Sequence, residues 1–403
     1  MNSGKAKLIL FLIVFIDLVG FGIILPLLPL YAQHYGAKPH LATLLLAVYS
    51  LMQFFFTPMW GSISDCYGRR PILLLTLFGT VIANIGLGLS SSLWMLFVAR
   101  SLAGIMGANL SVAMAYMADI TTSENRSRGI GMLGAGIGLG FIFGPAIGGI
   151  LTGSDRYNPN FHLPAFAAAG LSLLALTLAL KALPESLNPE IKTQTRASHK
   201  PNNRLEAFRE VLQQRPQIGL LVVMSFLVVF PFSCVQSIFP LWLEQQFHWE
   251  PKQISYLFVF IGIVSASIQG GLIGWFTKRF GEQKVLILGV TAFGLGLLFV
   301  PFSKNLVLLL SAITLLAGGF ALSQTTVSSL GSRFAGVEQQ GKTLGILNSA
   351  SSLARISGPT WAGFSFGAFG SSTPFLSGVL ILVVAIALSW RILKQPPNCL
   401  TAL

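Results

Sequence analysis

Any chemistry in this sequence has to be built around Asp17. Thirteen of the 403 residues are Asp or Glu, and Asp17 alone among them sits deep inside an apolar run rather than in a loop or at a helix end. Two bases share that isolation, Arg100 and Arg355. At about 1.5 Å of rise per residue, Asp17 lies roughly 15 Å and Arg355 roughly 20 Å from one face of a bilayer, and Arg100 roughly 12 Å from the other, so all three approach the midplane of a core about 30 Å thick. Charge at that depth costs several kcal/mol unless it is paired, hydrated, or used to move an ion or a substrate. An Asp17/Arg100 pair that merely locks two helices is one reading. Asp17 as a proton site is the other: burial disfavours the charged carboxylate, a neighbouring guanidinium favours it, and a rearrangement that parts them switches its protonation. Arg355 has three outlets, namely Asp17, helix carbonyls, or an anionic or carbonyl group on a substrate. Gln53, Asn109, Gln236, Gln269, Gln324 and Asn348 offer hydrogen bonds to a substrate or between helices, and Tyr49, Phe54, Phe230 and Phe239 offer stacking surface or ordinary core. The spans hold no His, HExxH or GxSxG set, and Cys66, Cys234 and Cys399 are too scattered for a metal site or a disulfide framework. No enzyme chemistry, metal or cofactor is expected.

The elements that must position these residues follow from composition. The chain is 53% hydrophobic and 10% charged, against roughly a quarter charged in soluble proteins. Runs long enough to cross a bilayer fall near 8–31, 41–61, 71–89, 93–118, 128–152, 163–181, 217–243, 253–275, 285–302, 305–330, 342–367 and 374–391. The first run exceeds a signal-peptide core and has no small-residue cleavage site behind it, so it is expected to stay as a span. The predicted fold class is an all-α membrane protein of twelve transmembrane helices in two pseudo-symmetric six-helix bundles. An even number of spans puts both termini on one side. Of 26 Lys and Arg, 20 fall on that side, against Lys38, Arg156, Lys252 and Lys304 on the other, and the positive-inside rule makes the rich side cytoplasmic. The net charge of +13 is thus a topology signal; nucleic-acid binding, which needs bases clustered on one solvated face, is excluded. A polar stretch at 182–216 reads as a cytoplasmic linker between bundles 1–181 and 217–403. A shift of 213 lays Gly274 and Gly281 over Gly61 and Gly68, and a shift of 214 lays Gly358-Pro359 over Gly144-Pro145, the internal similarity of a two-bundle transporter.

Two stretches carry denser motifs. Gly61-Ser-Ile-Ser-Asp65-Cys-Tyr-Gly68-Arg69-Arg70 is expected in a short turn between spans 2 and 3, with Asp65 against a helix N-terminus and Arg69 reaching an acid such as Asp119. In span 5, Gly136, Gly140, Gly144 and Gly148 recur every fourth residue, with Pro145 and Gly149 beside them, a flat and kinked face suited to close helix packing.

On these residues the chain resembles the major facilitator superfamily. Gly61 to Arg70 is similar to its loop 2-3 signature. Gly131, Gly140, Gly144-Pro145 and Gly148-Gly149 resemble the span 5 signature of its proton-coupled antiporters, and Asp17-Leu-Val-Gly20-Phe-Gly22 with Pro26 and Pro29 resembles span 1 of the twelve-span drug/proton antiporters. Ala115 to Thr121 with Arg126 and Arg128, and Leu183-Pro184-Glu185-Ser186, are similar to the tetracycline-efflux-like branch. The resemblance implies export driven by proton entry, Asp65 and Arg69 as a cytoplasmic gate latch against the start of span 11, and Arg100 as a span 4 base linked to proton handling. The chain departs from the pattern at Cys66, where the loop signature has Arg, and at Ala103, where span 4 commonly has Gln. Phe293 and Ser265 stand where tetracycline exporters carry an acid and a His, which argues against tetracycline itself as the substrate. The expected partners are protons, a small amphiphilic substrate and the lipid bilayer; the expected state is a monomer in the cell inner membrane. An anionic metabolite as substrate is the alternative within transport, and a receptor or scaffold without transport is the alternative outside it.

Overall fold

The computed structural model describes residues 3–107, 109–122, 125–153, 155, 159–186, 216–335 and 340–393. Most of the expected linker, 187–215, lies outside the described residues. Every regular element among the described residues is helical: α1 (Ser3–Ile24), α2 (Leu28–His34), α3 (Pro39–Tyr67), α4 (Arg69–Gly88), α5 (Leu93–Met106), α6 (Asn109–Asp119), α7 (Arg126–Thr152), α8 (His162–Ala182), α9 (Pro216–Phe247), α10 (Pro251–Ser267), a π-turn (Ile268–Leu272), α11 (Ile273–Phe280), α12 (Glu282–Phe299) with a 3-10 turn (Val300–Phe302), α13 (Leu306–Ala335), α14 (Gln340–Phe369) and α15 (Thr373–Leu393). Among the described residues, eleven helical stretches are long and apolar enough to cross a membrane. The twelfth, α14, has the length at 30 residues but carries Asn348, Arg355 and a run of serines.

The helices overrun the expected segments because backbone hydrogen bonding continues beyond the apolar core until glycine or proline ends it. This corrects the placing of Gly61 to Arg70 in a turn. Residues 61–67 are the last two turns of α3, and the reversal is confined to Gly68 at φ +110°. Gly281, its counterpart by the 213 shift, separates α11 from α12 at φ +78°. Both lie in the left-handed region that glycine alone enters without strain.

The described residues of Met1–Lys200 and Phe239–Gly262 form one compact unit, and those of Pro201–Ile238 and Ile263–Leu403 a second. In the first, α1 packs on α7 and α8, and α4 on α5 and α8. Leu10, Ile13, Leu73, Leu77, Tyr116 and Met117 fill the core between them. The glycine face of α7 lets it close on the backbone of α1. A Cβ on Gly144 would lie 2.6 Å from Gly22 Cα and 2.8 Å from the Val19 carbonyl oxygen, and one on Gly148 would lie 2.6 Å from the Ile23 carbonyl oxygen. In the second unit α12 packs on α13 and α15, and α14 meets α9 in the same manner: a Cβ on Gly358 would lie 2.9 Å from the Phe230 carbonyl oxygen. The glycine-proline pair is therefore used alike in both repeats.

Candidate functional site

Asp17 occupies the middle of α1. Its Oδ2 accepts a hydrogen bond from Asn109 Nδ2 at 2.7 Å, while its Oδ1 is shut off from solvent with no partner. Asn109 is the first residue of α6, and Gly107, just past the last residue of α5, lies in a turn. A carbonyl at a helix end needs a donor from elsewhere, and Gln53 Nε2 donates to Gly107 O at 2.9 Å. Two residues expected among the substrate ligands are thus engaged within the protein: Gln53 at the end of α5, and Asn109 on the acid.

Arg100, on α5, is 3% exposed. Its guanidinium lies 4.4 Å from the centre of the Tyr49 ring and 5.9 Å from that of Phe21, contacts in which the ring face attracts the cation. Nε and Nη2 are buried without a partner. No ion pair joins Arg100 to Asp17 among the described residues, which corrects the reading of the two as a locking pair. They are neighbours at one remove, because Phe21, under Arg100, is one helical turn along α1 from Asp17.

In the second unit, Gln236 and Gln324 are half-buried, and Asn348 and Arg355 are exposed on α14. Gln324 Oε1 is buried with no hydrogen bond. Gln269 is exposed in the π-turn. Of the aromatic set, Tyr49 lies under Arg100, Phe54 is exposed, and Phe230 and Phe239 are buried. Phe293 is fully buried and meets Phe320 edge-on at 5.9 Å, so apolar core fills the position at which the family resemblance implied an acid.

At the basic-rich end, Arg69 bonds to Asp65 at 2.5 Å, to Asp119 Oδ2 at 3.2 Å and to Ser64 Oγ at 2.7 Å. Asp65 does not sit against a helix N-terminus as expected. Glu185 does: it accepts from the backbone N–H of Arg69 at 2.9 Å and of Arg70 at 3.3 Å, at the positive end of α4 where a carboxylate is favoured. Arg70 Nη2 donates to Leu180 O at 2.8 Å, and Tyr116 Oη to Pro184 O at 2.6 Å. Gly61 leaves open space beside α3. The second unit has charges of reversed sign at the matching positions and keeps one of the two ion pairs. Shifts of 213 and 214 set Lys278, Glu282 and Arg333 where the first half has Asp65, Arg69 and Asp119, and Arg333 Nη1 lies 3.1 Å from Glu282 Oε2.

Of the span 5 glycines, Gly140, Gly144 and Gly148 meet α1; Gly149 faces Ser255 on α10; and Gly131 borders open space. Pro145 lies inside α7.

The sequence profile of the Major Facilitator Superfamily matches residues 10–359 and 221–399. The chain belongs to that superfamily. It is 34% identical over 374 residues to the tetracycline resistance protein, class C, of Escherichia coli, covering 89% of each chain. It is 28% identical to multidrug resistance protein 2 of Bacillus subtilis (strain 168), over 100% of this chain and 98% of that one. Within the superfamily it falls in the tetracycline-efflux-like branch. The fold is shared with a D-xylose-proton symporter, at TM-score 0.78 and 15% identity over 97% of this chain and 98% of the other. The human organic anion transporter MFSD10 has it too, at TM-score 0.70 and 22% identity over 96% and 100%. This superfamily member is accordingly a multi-pass membrane protein of twelve helical spans.

Proposed function

We infer that this chain is a proton-coupled antiporter that exports a small amphiphilic compound or drug by alternating access between bundles 1–181 and 217–403, joined by the 182–216 linker. The carrying observation is the half-satisfied carboxyl of Asp17: Asn109 holds one oxygen, and the other is enclosed with no donor, free to take a proton. Proton entry would neutralise a charge that the membrane interior tolerates poorly. Arg100, on α5 beside the Phe21 ring one turn along α1 from Asp17, tunes that charge. The relatives named for tetracycline and multidrug resistance supply the substrate class and the outward direction. Asp65, Arg69, Arg70 and Asp119, with Gly61 and Gly68 shaping the turn, form the cytoplasmic gate. Gln236, Gln324, Asn348 and Arg355 line the substrate path, and the α1/α7 glycine contact denies ions a leak. The protein acts as a monomer in the cell inner membrane with both termini cytoplasmic. In inside-out vesicles, wild type should accumulate drug when a proton gradient is imposed and Asp17→Asn should not; full gradient-driven accumulation by that variant overturns the reading.

Arg100 favours a second reading, an anionic substrate, because Nε and Nη2 are buried donors without acceptors, and a buried donor left unmade is costly. Competition settles it: anionic compounds should displace a bound reporter drug more strongly than cations of equal size if this reading holds.

A further inference from the structure

At the α11/α12 turn the second unit gathers bases that no acid pairs among the described residues. Lys278, Arg279 and Lys284 are exposed, and none of them joins an ion pair among the described residues. The acid in the same turn, Glu282, is already taken by Arg333 and by Ser329 Oγ at 3.0 Å. Gln283 Nε2 donates to Ile392 O at 3.2 Å, which fastens the end of α15, with exposed Trp390 and Arg391, to the same place.

The neighbouring aromatics are wrong for water. Trp275 is 51% exposed, and its ring centre lies 5.3 Å from the Arg279 guanidinium; that of Phe280 lies 5.8 Å from the same guanidinium and 6.2 Å from the Trp275 ring, so both aromatics stand on one side of it. The exposed remainder of the guanidinium is open to an acceptor outside the protein. An indole beside a base is the side-chain pair that settles at the headgroup level of a bilayer. One helical turn deeper, the π-turn exposes Gly270 and Gly271, where an added Cβ would meet nothing within 4 Å. The span that contains them, Pro251–Phe280, is also the least buried of the eleven, with 17% of its most apolar window inside the protein.

We propose that this turn is a binding site for the headgroup of an anionic phospholipid. Arg279 and Lys278 take the phosphate, Trp275 lies at the ester level, and an acyl chain follows the bare surface at Gly270 and Gly271. The occupant is a lipid and not a soluble phosphate, because the bases are continuous with an apolar, lipid-length helix face. That this end is cytoplasmic rests on the functional reading above; the site itself does not, and the test uses vesicles with the same lipid in both leaflets.

The full chain is reconstituted in phosphatidylcholine containing, at equal mole fraction, brominated phosphatidylglycerol or brominated phosphatidylcholine, and the fluorescence of Trp275 is read as the difference between wild type and Trp275→Phe. Brominated phosphatidylglycerol should quench that signal at lower mole fraction, with a preference on the order of fivefold for each base at the site. Lys278→Gln/Arg279→Gln should abolish the preference, and Lys278→Arg/Arg279→Lys should keep it. Equal quenching by both lipids, or a preference that survives the double glutamine variant, overturns the proposal. Transport is not read, so failure here leaves the antiporter assignment standing and the reverse holds too.

Discussion

Asn109 shows how a residue's type can be legible while its role is not. An amide in an apolar span was visible in the sequence as a hydrogen-bonding group, but its partner, Asp17, is 92 residues away, and no local pattern says which faces of two helices meet. The same holds for Glu185, whose carboxylate caps α4 from 116 residues downstream. Asp17 and Arg100 themselves were legible because charge in apolar surroundings stands out against any neighbour. Their mutual arrangement was not, since a ring lying under the guanidinium looks in sequence like ordinary core. If Asn109 positions the acid and does not contact the substrate, Asn109→Ala should leave drug affinity in detergent within about twofold, a change below 0.5 kcal/mol. Gradient-driven export should fall by at least tenfold, the size expected for losing a hydrogen bond to a charged group. A parallel loss of affinity and export would instead return Asn109 to the substrate ligands.

Among the elements, length was readable and interruption was not. Apolar stretches marked all twelve spans, yet the turn at Gly107 in span 4 and the π-turn in span 8 leave no trace in hydropathy. The span 5 glycines divide by what they touch. Gly144→Ala puts a methyl within 2.6 Å of backbone that cannot rotate aside, so a loss of about 1–3 kcal/mol in stability is expected. Gly131→Ala meets open space and should be neutral or better, given alanine's helix preference. Thermal unfolding of the two purified variants decides between this account and one in which every glycine of the motif matters equally. The sign-reversed clusters make a second prediction. Reversing Glu282 alone to Arg should lower the unfolding temperature, and the double variant Glu282→Arg/Arg333→Glu should recover most of the loss. With Arg333 half-exposed, the coupling should be modest, about 0.2–1 kcal/mol.

Across the whole molecule the two halves share a scaffold and divide the chemistry. Gly68 and Gly281 turn alike, and Gly144 and Gly358 approach backbone alike, but by the 213 shift Phe230 stands at the place of Asp17, and by the 214 shift Thr314 stands at that of Arg100. The acid and base proposed to handle the proton therefore have no counterparts at the matching positions of the second half. The same view of the chain gives the orientation test. With 20 of 26 bases on the side of the termini, a fluorescent protein fused after Leu403 should glow in bacterial cells and an alkaline phosphatase fused there should be inactive; the opposite pair of results would invert the topology.

The meeting of Gly22 with Gly144 bears on stiffness as well as closeness. Where two helices touch through backbone atoms, no flexible side chain lies between them to take up a displacement. Because α1 and α7 belong to one compact unit, a shift of α7 is expected to carry α1, and Asp17 with it, as a single body.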